Sequence, residues 1–462
     1  MKKNILLYVA VLLFPLGMQA QINFVSSPVT ARGGANNALA TNWEAIGVNP
    51  SNLGWSSNND FTASLLNVGF SAQADQLTIP NIGKMTSGDT NLLKQVAASP
   101  GGVNIYASII WAAFSFKVPV VGTFALSLDD KAYGNISPSP GFLNVSDFQT
   151  AYAGIASTVL TPQTAQAASK NVSVTKGADS ALDLNNLFSS YNGSKVSFYE
   201  YRELSLSYGR EMFKLGKGGD PDDSVNNYNA FKFYGGVGIK YIMGIANLIG
   251  EFNNGTITAD YAAVPSNQEF SLFPSGAPGQ GYSVDLGVSM AYQNWKFALS
   301  VTDLGSISWK GTHATLSDTA VVNRILRDKL DSNSSNTNIS SAIQTSSESY
   351  TTQLPSKLRL GASYMLNIYF TFASDIIVPL NDAPGNLTDP YYSIATRITP
   401  VKMLTFDLGL ATCKGYGLAI PFGFTVGHRV QFYLGINDVL SLAGKTKQDD
   451  LSAAVGLLRI NL

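Results

Sequence analysis

The chain reads as an all-β protein, a transmembrane antiparallel β-barrel of about fourteen strands. Three observations point there: two-residue alternation in segment after segment, an export leader, and a composition poor in charge. In Ser283–Tyr292, Val284, Leu286, Val288, Met290 and Tyr292 share one face, with Ser283, Asp285, Gly287, Ser289 and Ala291 on the other. Ser356–Asn367 repeats the pattern, with Leu358, Leu360, Ala362, Tyr364 and Leu366 set against Lys357, Arg359, Gly361 and Ser363. Side chains along a strand alternate between faces, so each segment has one greasy and one wet face. A soluble sandwich shares that property, but an exported chain has a second apolar phase available in the outer membrane.

The leader is Met1–Ala20, with Lys2 and Lys3 ahead of an apolar stretch from Ile5 to Leu16 and a small residue at Ala20. It reads as a secretory signal cut before Gln21. Its apolar core is short of the ~20 residues that a spanning helix needs. Cys413 is the single cysteine, so no intramolecular disulfide can form. Charged residues are 13% of the chain against ~25% in typical soluble domains. Aromatics reach 11%, there are 42 glycines, and the formal charge of −1 gives nucleic acid nothing to hold. Low charge, abundant Gly and aromatics, and no apolar run of spanning length after the leader is barrel composition.

Alternation and turn residues place strands near Phe61–Asp75, Val103–Lys117, Val120–Ile136, Tyr201–Met212, Phe231–Met243, Tyr282–Ala291 and Trp295–Trp309. Seven more follow near Lys357–Leu366, Tyr369–Val378, Tyr391–Ile398, Leu404–Thr412, Gly417–Thr425, Val430–Asn437 and Leu451–Leu462. Connections such as Pro119, Gln293-Asn294, Pro400-Val401 and Gly427-His428 are short, whereas 76–102, 137–195, 244–280 and 310–355 are long and rich in Ser, Asn, Thr, Asp and Gly. With the first strand leaving the periplasm, every odd-to-even connection is external and most of those are long, while every even-to-odd connection is periplasmic and short, 213–230 excepted. A further β-like stretch, Glu251–Ala262 with its Asn254-Gly255 turn, is assigned to an external loop. The last strand, with Leu458, Ile460 and Leu462 on one face, is expected to pair with the first and close the sheet.

Chemistry-bearing clusters are scarce. His313 and His428 are the two histidines, and with one cysteine there is no set of metal-ligand spacing. No cofactor is expected, and no catalytic set. Gly235-Gly-Val-Gly238 lies inside an alternating strand rather than at a strand-to-helix turn, and Gly219-Asp-Pro-Asp-Asp223 reads as a polar turn rather than a calcium loop. Charges opposite apolar rows should face the lumen, since an Arg or Lys facing lipid at mid-membrane costs ~2–4 kcal/mol. These are Glu203, Asp285, Lys357, Arg359, Asp407 and Arg429. Trp111, Trp295, Trp309, Tyr391 and Tyr392 suit the interfacial girdles.

Ahead of the first strand stand Ala31-Arg-Gly-Gly-Ala-Asn-Asn-Ala-Leu-Ala40 and Ala45-Ile-Gly-Val-Asn-Pro-Ser-Asn-Leu53. Small residues leading to Asn49-Pro50 and Leu53 resemble the N-terminal hatch of the FadL-like long-chain fatty-acid and hydrocarbon transporters. That superfamily also holds the PorV-like barrels of type IX secretion. Val284-Asp-Leu-Gly287, Asp303-Leu-Gly305 with Trp309, and Leu354-Pro-Ser-Lys-Leu-Arg-Leu-Gly361 resemble a Bacteroidota branch of it. Where the transporters carry Asn-Pro-Ala, this chain has Asn49-Pro50-Ser51.

The resemblance implies a hatch at 21–59, in or under the lumen of a barrel at 60–462. Its residues are Gly34, Ala35, Ala38, Ala40, Ala45, Asn49, Pro50 and Leu53; Trp43 and Trp55, in the same region, are candidates for packing in the lumen. It also implies a channel for hydrophobic small molecules, or alternatively a secretion-associated barrel that binds protein partners through external loops. A third class, a secreted soluble β protein, needs the apolar faces to be core. Fractionation separates it from the others: the protein is expected to stay with the outer membrane and its lipid through salt washes. Recovery without detergent would show a soluble protein instead.

Overall fold

The computed structural model describes residues 27–75, 81, 84, 92, 95, 102–139, 192–216, 230–264, 271, 273–317, 343–413, 416–442 and 448–462. The leader, most of 76–102 and 140–191, and the 219–223 turn lie outside the described residues. The strands are β1 (Phe61–Asp75), β2 (Val103–Val118), β3 (Gly122–Ser137), β4 (Lys195–Leu215), β5 (Phe231–Asn253), β6 (Thr256–Ala263), β7 (Gly279–Tyr292), β8 (Trp295–Ser317) and β9 (Gln344–Gln353). They continue with β10 (Lys357–Met365), β11 (Phe370–Pro379), β12 (Tyr391–Val401), β13 (Leu404–Cys413), β14 (Tyr416–Ala419), β15 (Phe422–Gly427), β16 (Val430–Ile436) and β17 (Gln448–Asn461).

All belong to one antiparallel sheet that closes on itself, with β17 pairing to β1 from Thr62↔Asn461 to Asp75↔Gln448. β14 and β15 are one wall strand broken at Ile420-Pro421, since both pair with β13. A proline has no N–H for the ladder, and the break falls where it stands. β6 and β9 extend the sheet beyond the wall: β6 forms a hairpin with β5 at Asn254-Gly255 and also lies along β8, and β9 pairs with the far half of β8. Fourteen strands therefore make the wall, and Glu251–Ala262 does fall in the extension rather than the barrel.

Closure is what makes the alternation intelligible. Leu286, Val288, Leu299, Leu360, Leu408 and Leu410 are exposed on the outer surface. Ser283, Asp285, Ser289, Ser300, Lys357, Arg359 and Asp407 are buried on the inner one. An apolar exterior and a polar interior invert the arrangement of a soluble protein and match a barrel whose solvent is lipid. Among the described residues no helix is long and apolar enough to cross a membrane. Short turns gather at the end that carries Phe61 and Leu462, which hydrogen-bond to each other, and the extensions rise from the opposite end. Outer-membrane barrels place short turns in the periplasm.

Three expectations need correction. Strand β9 and the end of β8 occupy part of the 310–355 connection; Gln344–Ser349 is exposed and polar on both faces, so it offers no apolar alternation to find. Trp309 is fully buried in the lumen rather than in a girdle. The register of β7 with β8 shifts between Val284 and Leu286, and Asp303 there adopts φ 60°. That bulge adds one residue to β8 and turns its odd-numbered side chains from lipid to lumen. Tyr391 is also buried while its neighbour Tyr392 is 49% exposed, because consecutive residues on a strand cannot both face lipid. Trp111 and Trp295 stand on the outer surface.

The outer belt makes a quantitative expectation. Val288→Arg should destabilise the barrel by ~2–4 kcal/mol in a lipid-refolding titration, whereas arginine at Val120, 98% exposed in the β2–β3 turn, should change little.

Candidate functional site

The lumen is occupied by the chain's own N-terminal segment, residues 27–58. It begins with a helical turn, α1 (Ser27–Ala31), and includes two 3-10 turns, Asn42–Ala45 and Pro50–Gly54. The second forms because Asn49 caps it: its Oδ1 accepts the Ser51 N–H at 3.0 Å and the Ser51 hydroxyl at 2.7 Å. Pro50 follows with its φ already helical. This turn lies flat on wall backbone at three glycines of adjacent strands. A Cβ on Gly209 or Gly236 would come within 2.3 Å of Pro50 backbone, and one on Gly287 within 2.0 Å of Asn49 Oδ1. Only glycine permits so close an approach.

Asparagines knit the segment together. The Asn37 amide donates to the carbonyls of Ala298 and Arg359, each at 2.9 Å, and its Oδ1 accepts from Ser300 at 3.0 Å and Asn49 at 3.1 Å. Asn52 donates to the carbonyls of Asn37 and Ala40, and Asn58 to those of Asn52 and Leu53. Ser289 joins two parts of the segment to β7: its hydroxyl lies 2.9 Å from that of Ser51, to which it can donate, and accepts from the Trp55 indole at 3.0 Å. Gly34, Ala35, Ala38, Ala40, Ala45, Asn49, Pro50 and Leu53 are all buried here. Trp43 and Trp55 are buried here as well.

Two charge clusters lie alongside. In one, Lys240 Nζ reaches Asp303 at 2.6 Å, Asp285 at 3.0 Å and Glu203 at 3.8 Å, while Lys131 meets Glu203 at 2.9 Å. In the other, Arg397 meets Asp407 at 3.1 Å and Arg459 meets Glu44 at 2.5 Å, with Arg32 3.9 Å from both acids. Lys357 and Arg359 are buried between strands β8 and β11. Arg429 does not join them; it is exposed in the turn before β16, where a short turn carries the side chain past the end of the wall.

Sequence reading missed Lys131, Lys240, Asp303, Asp375, Arg397 and Arg459. Lys131 and Lys240 were within reach, since each sits in period with inward neighbours (Asp129 and Gly238). Asp303 was not, because the bulge reverses parity at that point.

Toward the external end the lining turns aromatic. Tyr133, Tyr199, Tyr201 and Trp309 pack with Ile242, Ile307 and Leu354. The β11–β12 connection folds into this mouth: Tyr199 donates to the Pro384 carbonyl at 2.6 Å, and Asn386 and Leu387 are buried. The cavity between segment and wall, lined by Trp43, Glu44, Asp129 and Arg359 among others, is about 30 Å³. Two larger apolar grooves, each about 800 Å³, lie on the lipid-facing surface around Leu360 and Phe372. Among the described residues no group of three or more His, Cys, Asp or Glu is placed to hold a metal ion.

A closed sheet with an apolar belt, a polar lumen and an internal plug defines a transmembrane β-barrel of the outer-membrane class. The chain belongs to the DUF5723 family, described as a family of unknown function, whose profile matches residues 173–437, more than half of it. No curated protein matches the sequence significantly. In shape the chain is similar to a monoaromatic hydrocarbon channel, a TodX deltaS2S3 mutant, with TM-score 0.48 and 11% identity over 95% of this chain and 99% of that one. It is also similar to the Pseudomonas putida toluene transporter TodX (TM-score 0.41, 9% identity, 93% and 96% covered). A Pseudomonas aeruginosa FadL homologue gives TM-score 0.42 and 8% identity, with 96% and 98% covered.

Lys240 is the hub of its cluster. Lys240→Met leaves the buried Asp285 and the partly buried Asp303 without their cation, which should cost ~3–5 kcal/mol in denaturant unfolding of the reconstituted barrel. A loss under 1 kcal/mol would show that the cluster is hydrated and weakly coupled.

Proposed function

We propose that the protein is an outer-membrane channel for hydrophobic small molecules, long-chain fatty-acid-like or aromatic-hydrocarbon in kind, with the N-terminal segment as its hatch. One observation carries the reading: residues 27–58 are folded inside the lumen and held to the wall by hydrogen bonds and ion pairs. A barrel of this width that served only as a scaffold could fill its lumen with loops and inward side chains. A plug seated through reversible polar contacts can leave and return. The apolar groove around Leu360 supports the cargo class, because its floor at Ser289 and Gly361 lies across the wall from Ser51 and Asn37. A cavity of about 30 Å³ admits no such solute, since a benzene-sized guest needs on the order of 150 Å³. Transport therefore requires the segment to move.

A second reading, a secretion-associated barrel that binds protein partners, is favoured by the extension of β5, β6, β8 and β9 beyond the wall, where β9 exposes the polar stretch Gln344–Ser349. Native mass spectrometry of detergent-purified protein, with extraction of bound lipid, separates the two. An apolar ligand near unit occupancy, competed by added palmitate or toluene, is the expected result. No binding across fatty acids and aromatic hydrocarbons, together with a co-purifying protein, would move the assignment to the second reading.

A further inference from the structure

We propose that Asp375 is the latch of the N-terminal segment and that Arg359 is the partner it takes when the segment leaves; the inference rests on the gating reading above. Asp375 stands on β11, facing the lumen and 2% exposed. Its Oδ2 accepts two consecutive backbone N–H groups of the segment, Asn36 at 2.8 Å and Asn37 at 2.7 Å. Its Oδ1 is buried and accepts no hydrogen bond, and among the described residues no cation stands within ion-pair distance of it. Thus the segment's own backbone supplies the donors that satisfy this carboxylate.

The second half of the device is on the next strand. Gly361 of β10 is the register partner of Asp375, and Arg359 lies two residues earlier on the same inward face. Arg359 Nε and Nη1 are buried without a hydrogen-bond partner, and the residue is 4% exposed. An unsatisfied carboxylate oxygen and an unsatisfied guanidinium therefore lie on paired strands while the segment holds the carboxylate. The carboxylate lies over Gly361, where a Cβ would be 2.5 Å from Asp375 Oδ1 and 2.7 Å from Asn37 Cβ.

Most charges around the segment lack this property. Arg32 and Glu44 both belong to the segment, and Arg397 and Asp407 both belong to the wall, so withdrawal leaves each body with an internal pair. Arg459 loses Glu44 but keeps Asn461 and Tyr433. Asp375 loses both donors at once, and a bare buried carboxylate is costly. Turning to Arg359 gives it a charge-assisted, fork-shaped partner. Closed and open states then each satisfy the same anion, which is the bistability that a gate needs.

The test uses the full chain in liposomes, with Cys413→Ser removing the native thiol and A38C introducing a probe in the segment, where Ala38 is 1% exposed. The readout is the maleimide labelling rate, with heat-modifiable migration confirming a folded barrel. Asp375→Asn keeps the shape but loses the charge and should speed labelling about tenfold. Arg359→Gln removes the waiting partner and should slow it below the wild-type rate. A purely structural role for both residues would speed labelling in both variants, and that result overturns the proposal, as does unchanged labelling in either. The Arg359→Gln arm decides alone if Asp375→Asn does not fold. Toluene entry into the same liposomes tests the gate separately: faster labelling without faster entry would keep the latch and sink the channel.

Discussion

Everything in this molecule depends on the pairing of the first wall strand with the last. In a hydrocarbon phase an unpaired backbone N–H or C=O costs several kcal/mol, so a spanning sheet must have no edge. The ladder from Thr62↔Asn461 to Asp75↔Gln448 removes it. Closure also creates a compartment, and once there is an inside, alternation sorts side chains by solvent: leucines and valines to lipid, serines and charges to the lumen. The Pro421 break shows how local a fault the sheet tolerates, since Gly409 still donates to the Pro421 carbonyl at 3.0 Å.

A polar lumen has to be filled with matching groups, and the N-terminal segment does this with asparagine. An amide both donates and accepts, so Asn37 can meet two wall carbonyls and two neighbouring donors with one side chain. A segment of Ala and Gly carrying a few such amides packs closely against backbone, with the Asn36 and Asn52 amide oxygens and the Trp43 indole N–H left without a hydrogen-bond partner. The glycine seat under Asn49-Pro50 is the wall's half of that fit.

Much of this was legible from periodicity alone. The two faces of Ser283–Tyr292 were readable because the solvent on each side differs sharply, and the short turns betrayed the strand ends. What escaped was set by single-residue events or by relationships across strands. The Asp303 bulge turned Trp309 inward without changing composition. Gln344–Ser349 has water on both faces, so no hydrophobic contrast marks that part of β9. Asp375 looks like any polar-face acid until the neighbouring strand and the segment are seen together. Arg429 sits only just beyond a strand end, where parity no longer applies.

The bulge at Asp303 has one more consequence. Below it the lumen wall is ionic, around Lys240 and Glu203; above it the lining is aromatic, around Trp309 and Tyr199. The added residue brings Trp309 in beside the inward tyrosines of β3 and β4, so the interior has two storeys of different chemistry, with the plug as a third. A solute descending from outside would meet π faces, then charges, then amides. In the proposed channel these barriers would be resistances in series, so throughput would be governed by the largest of them, and easing any other would leave the flux nearly unchanged.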